Sequence, residues 1–315
     1  MPSSVNKKVL IEIVVHQIFF RLSALFIVIT LTFFLMQALP GDPFHQEQAL
    51  PEAIHQALRS HFGLDDPWAH QYLRYLKGIL FGDLGPSFRY VDRTVNQIIA
   101  EGFPVSAVLG GEALLLALSM GIFLGMACAL KRQKWQDKLI LLFAALTISI
   151  PSFLLGSLLQ YYFGLKWGLF PIARWGCWLQ TVLPALSLAA LPATYITRLV
   201  RTSLIEALHQ GYMRTAKAKG LSDWKMIAKH GLRNALLPVL SYLGPLTANI
   251  LVGSFVIEKI YAIPGLGQFF VNSILNRDYT AIMGLTVFYS TLLLFTVLCV
   301  DILYGWIDPR IRNYE

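Results

Sequence analysis

Six stretches of this chain run for about 20 residues each without one Asp, Glu, Lys or Arg: 22–41, 113–130, 139–165, 175–197, 234–257 and 279–300. A helix needs about that many apolar residues to cross a hydrocarbon core of about 30 Å. In lipid, backbone N–H and C=O groups must be paired within the segment or around a closed barrel. Barrel strands alternate in polarity over about ten residues, and these runs are longer and continuously apolar. The pattern therefore predicts an all-α integral membrane protein with six transmembrane helices. Composition agrees, with 56% hydrophobic and 14% charged residues against about 25% charged in ordinary soluble domains.

The formal net charge of +8 raises nucleic acid as a partner, but the positions of the charges argue against it. With the N-terminus placed in the cytoplasm, 17 of the 26 Lys and Arg fall in alternate, same-side segments. These are the N-terminal arm, the loop KRQKWQDK at 131–138, the long loop 198–233 and the C-terminal tail. A cytoplasmic excess of basic residues is the usual orientation signal, so both termini are expected in the cytoplasm and no nucleic acid is expected as a partner. All seven Trp sit at or beyond the ends of the runs, as interfacial aromatic belts do. Cys128, Cys177 and Cys299 are too scattered for a metal site or a disulfide framework. The first apolar run exceeds the 7–15 residues of a signal peptide core, so it reads as an uncleaved first span.

The expected organisation is a cytoplasmic arm (1–21), a first transmembrane helix (22–41), an external segment (42–94), a core of five further transmembrane helices (95–305) and a cytoplasmic tail (306–315). The external segment opens on the turn signal PGDP. Its stretches LPEAIHQALRSHFGL and DPWAHQYLRYLKGIL space their apolar residues like amphipathic helices. It is too short to be a catalytic domain.

Residues 198–233, RLVRTSLIEALHQGYMRTAKAKGLSDWKMIAKHGLR, are far longer than the 2–8 residues that usually join helices in a bundle. Gly211, Gly220 and Gly231 punctuate them. YMRTAKAK consists of good helix formers with cations in its last turn, which suits the negative end of the helix dipole. Gly220 fits a left-handed position just past the helix, and Ser222 fits the N-cap of the next one. Ala216, Ala218 and Gly220 lack bulk, which leaves two readings open: docking of another protein's backbone, or an amphipathic helix held to acidic lipid by its lysines.

No phosphate-binding GxxxxGK[ST] occurs, nor GxSxG nor HExxH, so the chain carries no sign of a catalytic or metal site of its own. An ion-coupled secondary transporter would be expected to hold carboxylates at mid-membrane. Glu112, at the outer end of the second run, is the nearest candidate, and its position suits an interfacial carboxylate. Asn249 lies mid-run, either lining a translocation path or bonding a neighbouring helix. Pro151, Pro184, Pro192, Pro238 and Pro245 are positions for kinks.

At 212–221 the sequence YMRTAKAKGL resembles the cytoplasmic loop of binding-protein-dependent ABC importer permeases, with the pattern Y-x-R-T-A-x-A-K-G-L. HGLRNALLP at 230–238 is similar to the family's H-x-L-R-N-A-L-x-P. The broader ABC-importer loop has Glu-Ala where Arg214 and Thr215 stand, and Pro where Arg233 stands. Those departures are similar to the first permease of dipeptide, oligopeptide and nickel importers. LPGDP, FGLDDPWAHQYLRYLKGILFGDLGPSFR, SIPSF, LPALSLAALPATYITRLVRTSL, VIEKIYAIPGLGQFFVNSILNRDY and VDILYGWIDPRIR extend the resemblance over nearly the whole chain.

The resemblance implies a type I ABC importer permease fold in a bacterial inner membrane. It also implies a second homologous permease subunit, two ABC ATPase subunits that use ATP and Mg, and an external substrate-binding protein. This chain would bind no cofactor itself. Tyr212, Arg214, Thr215, Ala216, Ala218, Lys219 and Gly220 would form the coupling helix that enters the ATPase groove, with Leu232, Arg233 and Asn234 at its base. Short peptides are the implied cargo, with nickel or another small solute as the alternative within the family.

Overall fold

The computed structural model describes residues 7–39, 52–90 and 92–307. The PGDP turn and the basic tail residues Arg310 and Arg312 lie outside the described residues. Among the described residues the regular structure is helical, apart from a single bridge between Pro86 and Thr94, and irregular stretches such as 81–90 and 167–177 lie between the helices. In order the helices are α1 (Lys7–Ala38), α2 (Glu52–His61), α3 (Trp68–Leu80), α4 (Val95–Leu130), α5 (Trp135–Ser149), α6 (Ser152–Leu159), α7 (Trp178–His209), α8 (Gly211–Ala218), α9 (Asp223–Met226), α10 (Leu232–Ala235), α11 (Leu237–Ile260), α12 (Leu266–Leu275) and α13 (Tyr279–Ile307). Gln160–Lys166 and Ile227–Gly231 are π-helical.

The helices and the charge-free runs coincide with three differences. Among the described residues four helices are long and apolar enough to cross a membrane, the described part of α1, α4, α7 and α13, with the bent pair of α5 and the helix after it as a fifth candidate. First, α1 begins at Lys7 and α4 at Val95, well ahead of their runs. Isolated charges do not stop a helix, so Glu112 stands within α4, half-buried. Second, the 139–165 run is no single rod: α5 and the helix that follows it meet at 106°. Pro151 is the cause. It takes φ −57° and ψ 142° and precedes α6 as its N-cap, and a proline also forces Ile150 into an extended conformation (φ −101°, ψ 119°). Third, the 234–257 run is shared between α10 and α11. Pro104, Pro184, Pro192 and Pro245 remain inside their helices, and Pro238 occupies the first turn of α11, where its missing N–H is harmless.

The chain divides into two compact units. The first comprises residues 1–100 and 270–295. In it α3 packs on α1 through the rings of Phe33, Tyr72 and Tyr75 (centroids 5.2 and 5.9 Å from Phe33). Two polar bonds join the same helices, Thr30 to Tyr72 and Gln37 to Gln71, each at 2.7 Å. Asp278 is fully buried at the start of α13, where its carboxylate accepts from the backbone N–H of Phe88 and Ala281 at 3.1 Å and from the Ser87 hydroxyl. α1 leaves Phe19, Phe20, Phe26, Ile27 and Leu31 exposed, as a lipid-facing helix does. A cavity of about 550 Å³ opens beside α3, lined by Phe33, Tyr75 and Met283 among others, and it touches none of the candidate coupling or path residues.

The second unit comprises residues 101–269 and 296–315. Its core joins α4, α7 and α11 around Leu109, Ile196, Val200, Leu246 and Ile257. α4 approaches α7 closely through Gly121 and Gly125. A Cβ at Gly121 would come within 2.6 Å of the Ile196 Cβ, and one at Gly125 within 2.8 Å of the Thr197 carbonyl. Small residues four apart allow such backbone contact in membrane helices, where packing replaces the hydrophobic effect as the force between helices.

Candidate functional site: the 198–233 loop and its supports

The loop is more ordered than its length suggests. Its first third is α7 itself, which runs unbroken to His209. Gln210, extended at φ −73° and ψ 151°, turns the chain into α8. Lys219 caps α8, and Gly220 follows with φ +76°. That left-handed conformation costs an L-residue roughly 1–2 kcal/mol and explains the glycine. Ser222 holds the N-cap position of α9 with φ −63° and ψ 148°, but its side chain makes no capping bond. From there α9, the π-helical stretch and α10 lead with little interruption into α11.

α8 is amphipathic, and its two faces sort the residues singled out above. Met213 and Ala216 are buried against Met226, with Leu208 and Leu221 alongside. Ala216 therefore faces its own chain, so its small side chain serves close packing within the loop and is not available to an incoming backbone. Arg214, Thr215, Ala218, Lys219 and Gly220 are exposed, and a Cβ at Gly220 would meet nothing within 4 Å. Lys217, Lys225 and Arg233 are exposed as well, so the outer face of the loop is strongly cationic.

Tyr212 and Asn234 are brought together, the Asn234 amide donating to the Tyr212 hydroxyl at 2.8 Å. Leu232 is half-buried against the main core. Asn249 lies on α11, with its side chain outside the described residues. An apolar cavity of about 310 Å³ opens instead among α4, α5 and α7, lined by Leu124, Phe143, Ala190 and Thr194 among others.

Two buried carboxylates that sequence reasoning passed over support this unit. Asp137, in the first turn of α5, is 3% exposed and receives the Arg201 Nε and Nη2 at 2.8 Å each. Its Oδ2 also accepts the Gln133 N–H at 3.0 Å, which holds the tight turn between α4 and α5 where Gln133 itself takes φ +64°. Asp137 precedes the charge-free run that starts at Leu139, and Arg201 follows the one that ends at Thr197. The Arg201 guanidinium holds the Asp137 carboxyl down at about 2 against the opposing effect of burial. The available signal was that Asp137 is the one acid in KRQKWQDK.

Glu258 is fully buried near the end of α11, at the opposite end of that helix from the loop. It accepts the Ser106 hydroxyl and the Gly267 N–H at 2.8 Å each, while the Leu266 N–H donates to Ser106 at 2.9 Å. Nearby, the Tyr261 hydroxyl donates to the Gly156 carbonyl at 2.8 Å, and Gln160 donates to the Ile172 carbonyl at 2.8 Å. One end of α11 thus carries the cationic loop, and the other fixes α4 and α6 through buried polar bonds.

Residues 121–313 match the family described as binding-protein-dependent transport system inner membrane component. Residues 10–110 match the N-terminal region described for the same kind of component. The dipeptide transport system permease protein DppB of Bacillus subtilis (strain 168) is 49% identical over 298 residues, covering 94% of this chain and 97% of that protein. The oligopeptide transport system permease protein OppB of Salmonella typhimurium is 44% identical over 290 residues, covering 91% and 95% respectively. DppB of Lactococcus lactis subsp. cremoris is 39% identical, covering 96% of this chain and 100% of that protein.

Proposed function

Because this chain belongs to the family of binding-protein-dependent transport system inner membrane components, we propose that it is one permease subunit of an ATP-driven importer of short peptides. A second, related permease completes the path through the bacterial inner membrane. Two ATPase subunits bind and hydrolyse Mg-ATP on the cytoplasmic side, and an external binding protein delivers the peptide. This chain contributes the path and the coupling surface and no catalytic residue. Both termini and the 198–233 loop face the cytoplasm, and the 42–94 segment faces outward. The peptide assignment is supported by relatives 39–49% identical over nearly the whole chain that are named for dipeptide or oligopeptide transport.

The observation that carries the coupling role is α8 itself. It is a short helix packed on its own chain by one face, with the other cationic and open, and it ends at a left-handed Gly220 with free space above it. Arg214, Thr215, Ala218, Lys219 and Gly220 meet the ATPase groove. Met213 and Ala216 support them from beneath, and Leu232, Arg233 and Asn234 form the base. Closure of the ATPases on ATP moves α8 and switches the path from inward- to outward-facing. Asn249 on α11 is the candidate path residue.

The test is co-purification of this chain with the products of neighbouring genes, followed by ATPase assay in nanodiscs with binding protein and peptide. A complex whose ATP hydrolysis rises with peptide supports the reading. A chain that purifies without an ATPase and takes up peptide on a proton gradient would be a secondary transporter. Stimulation by nickel in place of peptide would reassign the cargo alone.

A further inference from the structure

We propose that the Asp137–Arg201 pair is the strut by which movement of the coupling helix α8 reaches α5 and the 106° break beyond it. Asp137 and Arg201 are thus positioning residues of the transport cycle. The inference rests on the coupling reading given above and adds the route that the movement takes.

Arg201 lies on the stretch of α7 that continues to His209, and α8 folds back beneath it, with Met213 and Ala216 clustered with Leu208 and Met226. A displacement of α8 is therefore a displacement of Arg201. Arg201 grips Asp137 through two parallel bonds at 2.8 Å. A two-point fork of this kind fixes orientation as well as distance, so α5 follows a rotation of α7 and is not merely tethered to it. With Asp137 only 3% exposed, water is poorly placed to take over either bond. The same carboxylate holds the Gln133 N–H, so the α4–α5 turn moves with the pair. At its other end α5 stops at Ile150 and Pro151, where the helical hydrogen bonds are interrupted. A helix clamped at one end and broken at the other can pivot.

A buried ion pair is a poor choice for stability alone, because well-packed apolar residues of similar volume often do as well or better. What the pair adds over apolar packing is a fixed register between two helices, and register is what a mechanical connection requires.

The test uses the full complex in nanodiscs, with basal ATPase, ATPase stimulated by binding protein and peptide, and peptide taken up per ATP in proteoliposomes. The variants are Asp137→Asn, Arg201→Lys and the double replacement Asp137→Leu with Arg201→Leu, which removes both charges and leaves no orphan. We expect the double variant to assemble in normal yield with basal ATPase near wild type. Its stimulation should fall by about fivefold or more, the low edge of ordinary coupling energies, and uptake per ATP should fall with it. Arg201→Lys, which keeps the charge and loses the fork, should lie between it and wild type. The strut is overturned if the double variant couples as wild type does, or if all three variants lose basal and stimulated activity in step with lost assembly. A wild-type complex that peptide does not stimulate would instead sink the parent reading.

Discussion

Asn234, at the base of the loop, donates its amide to the hydroxyl of Tyr212 in the first turn of α8, at 2.8 Å across 22 residues of sequence. The bond closes the loop on itself, so the start of α8 is held twice: by α7 through a one-residue turn and by α10 through this contact.

Tyr212→Phe removes the acceptor and leaves the ring. Both residues are exposed, so the net stability change should be about 0.5–1.5 kcal/mol, the ordinary worth of a hydrogen bond. We expect faster amide exchange over Gly211–Ala218 with little change in the melting temperature of the complex. Unchanged exchange would show that the bond does not hold α8.

Gly220 separates two effects. Gly220→Ala keeps the surface open and adds only the left-handed strain of roughly 1–2 kcal/mol, so coupling should weaken slightly. Gly220→Trp fills the free space above the helix end and should abolish co-purification of the ATPase while leaving this chain folded. Normal ATPase binding by the Trp variant would place the docking surface elsewhere.

Gly125→Val drives a branched side chain into the Val200 side chain and the Thr197 carbonyl. Overpacking of this kind costs about 1–3 kcal/mol or more, and here the clash is with backbone. The expected outcome is loss of folded protein in the membrane, read by fluorescence size-exclusion. A monodisperse Gly125→Val protein would contradict the close α4–α7 approach.

Glu258 accepts on both carboxyl oxygens, so Glu258→Gln places an amide N–H₂ against either the Ser106 hydroxyl or the Gly267 N–H. Leaving buried groups unsatisfied costs about 1–3 kcal/mol each. The isosteric Gln variant should therefore melt well below wild type, and Ser106→Ala should be milder. Equal melting of wild type and Glu258→Gln would count against a site in which both carboxyl oxygens accept hydrogen bonds.

The pH dependence of the strut follows from its sign. The Asp137 carboxyl is depressed from an ordinary 3.8 to about 2. Its stabilisation is therefore complete above about 4 and is lost only as pH falls through 2. Peptide-stimulated ATPase should show no titration from this pair between about pH 5.5 and 8. An acid-side loss of coupling near pH 6 that disappears in the Asp137→Leu, Arg201→Leu double variant would contradict the depressed value.

The sequence states the membrane class openly, because a charge-free run of 20 residues has few other uses. Gly220 was readable too: a basic helix followed by Gly-Leu-Ser leaves one plausible cap. Helix ends were not readable from charge, since α1 and α4 carry ionisable residues through their turns without breaking. The facing of Ala216 was hidden as well, because it depends on Met226, ten residues on, folding back beneath α8. The Gly-x-x-x-Gly spacing of Gly121 and Gly125 is a local signal for close helix packing, but only the structure names α7 as the partner. The pairing of Asp137 with Arg201 had no such signal. Sixty-four residues separate them, and only the packed helices bring them within reach.

The break at Pro151 has a consequence for the solvent around it. α5 is 15 residues long, roughly 22 Å at 1.5 Å per residue, and so falls short of a hydrocarbon core of about 30 Å. The last carbonyls of any helix lack intrahelical partners, and acyl chains offer them none. An interruption at membrane depth is tolerated only where it is covered by protein or lines a watery space. The exposed surface at Ser149 and Pro151 is thus a dry-lipid exclusion zone, a patch of the perimeter that the bilayer cannot wet with hydrocarbon and that a second subunit or an aqueous lumen must claim.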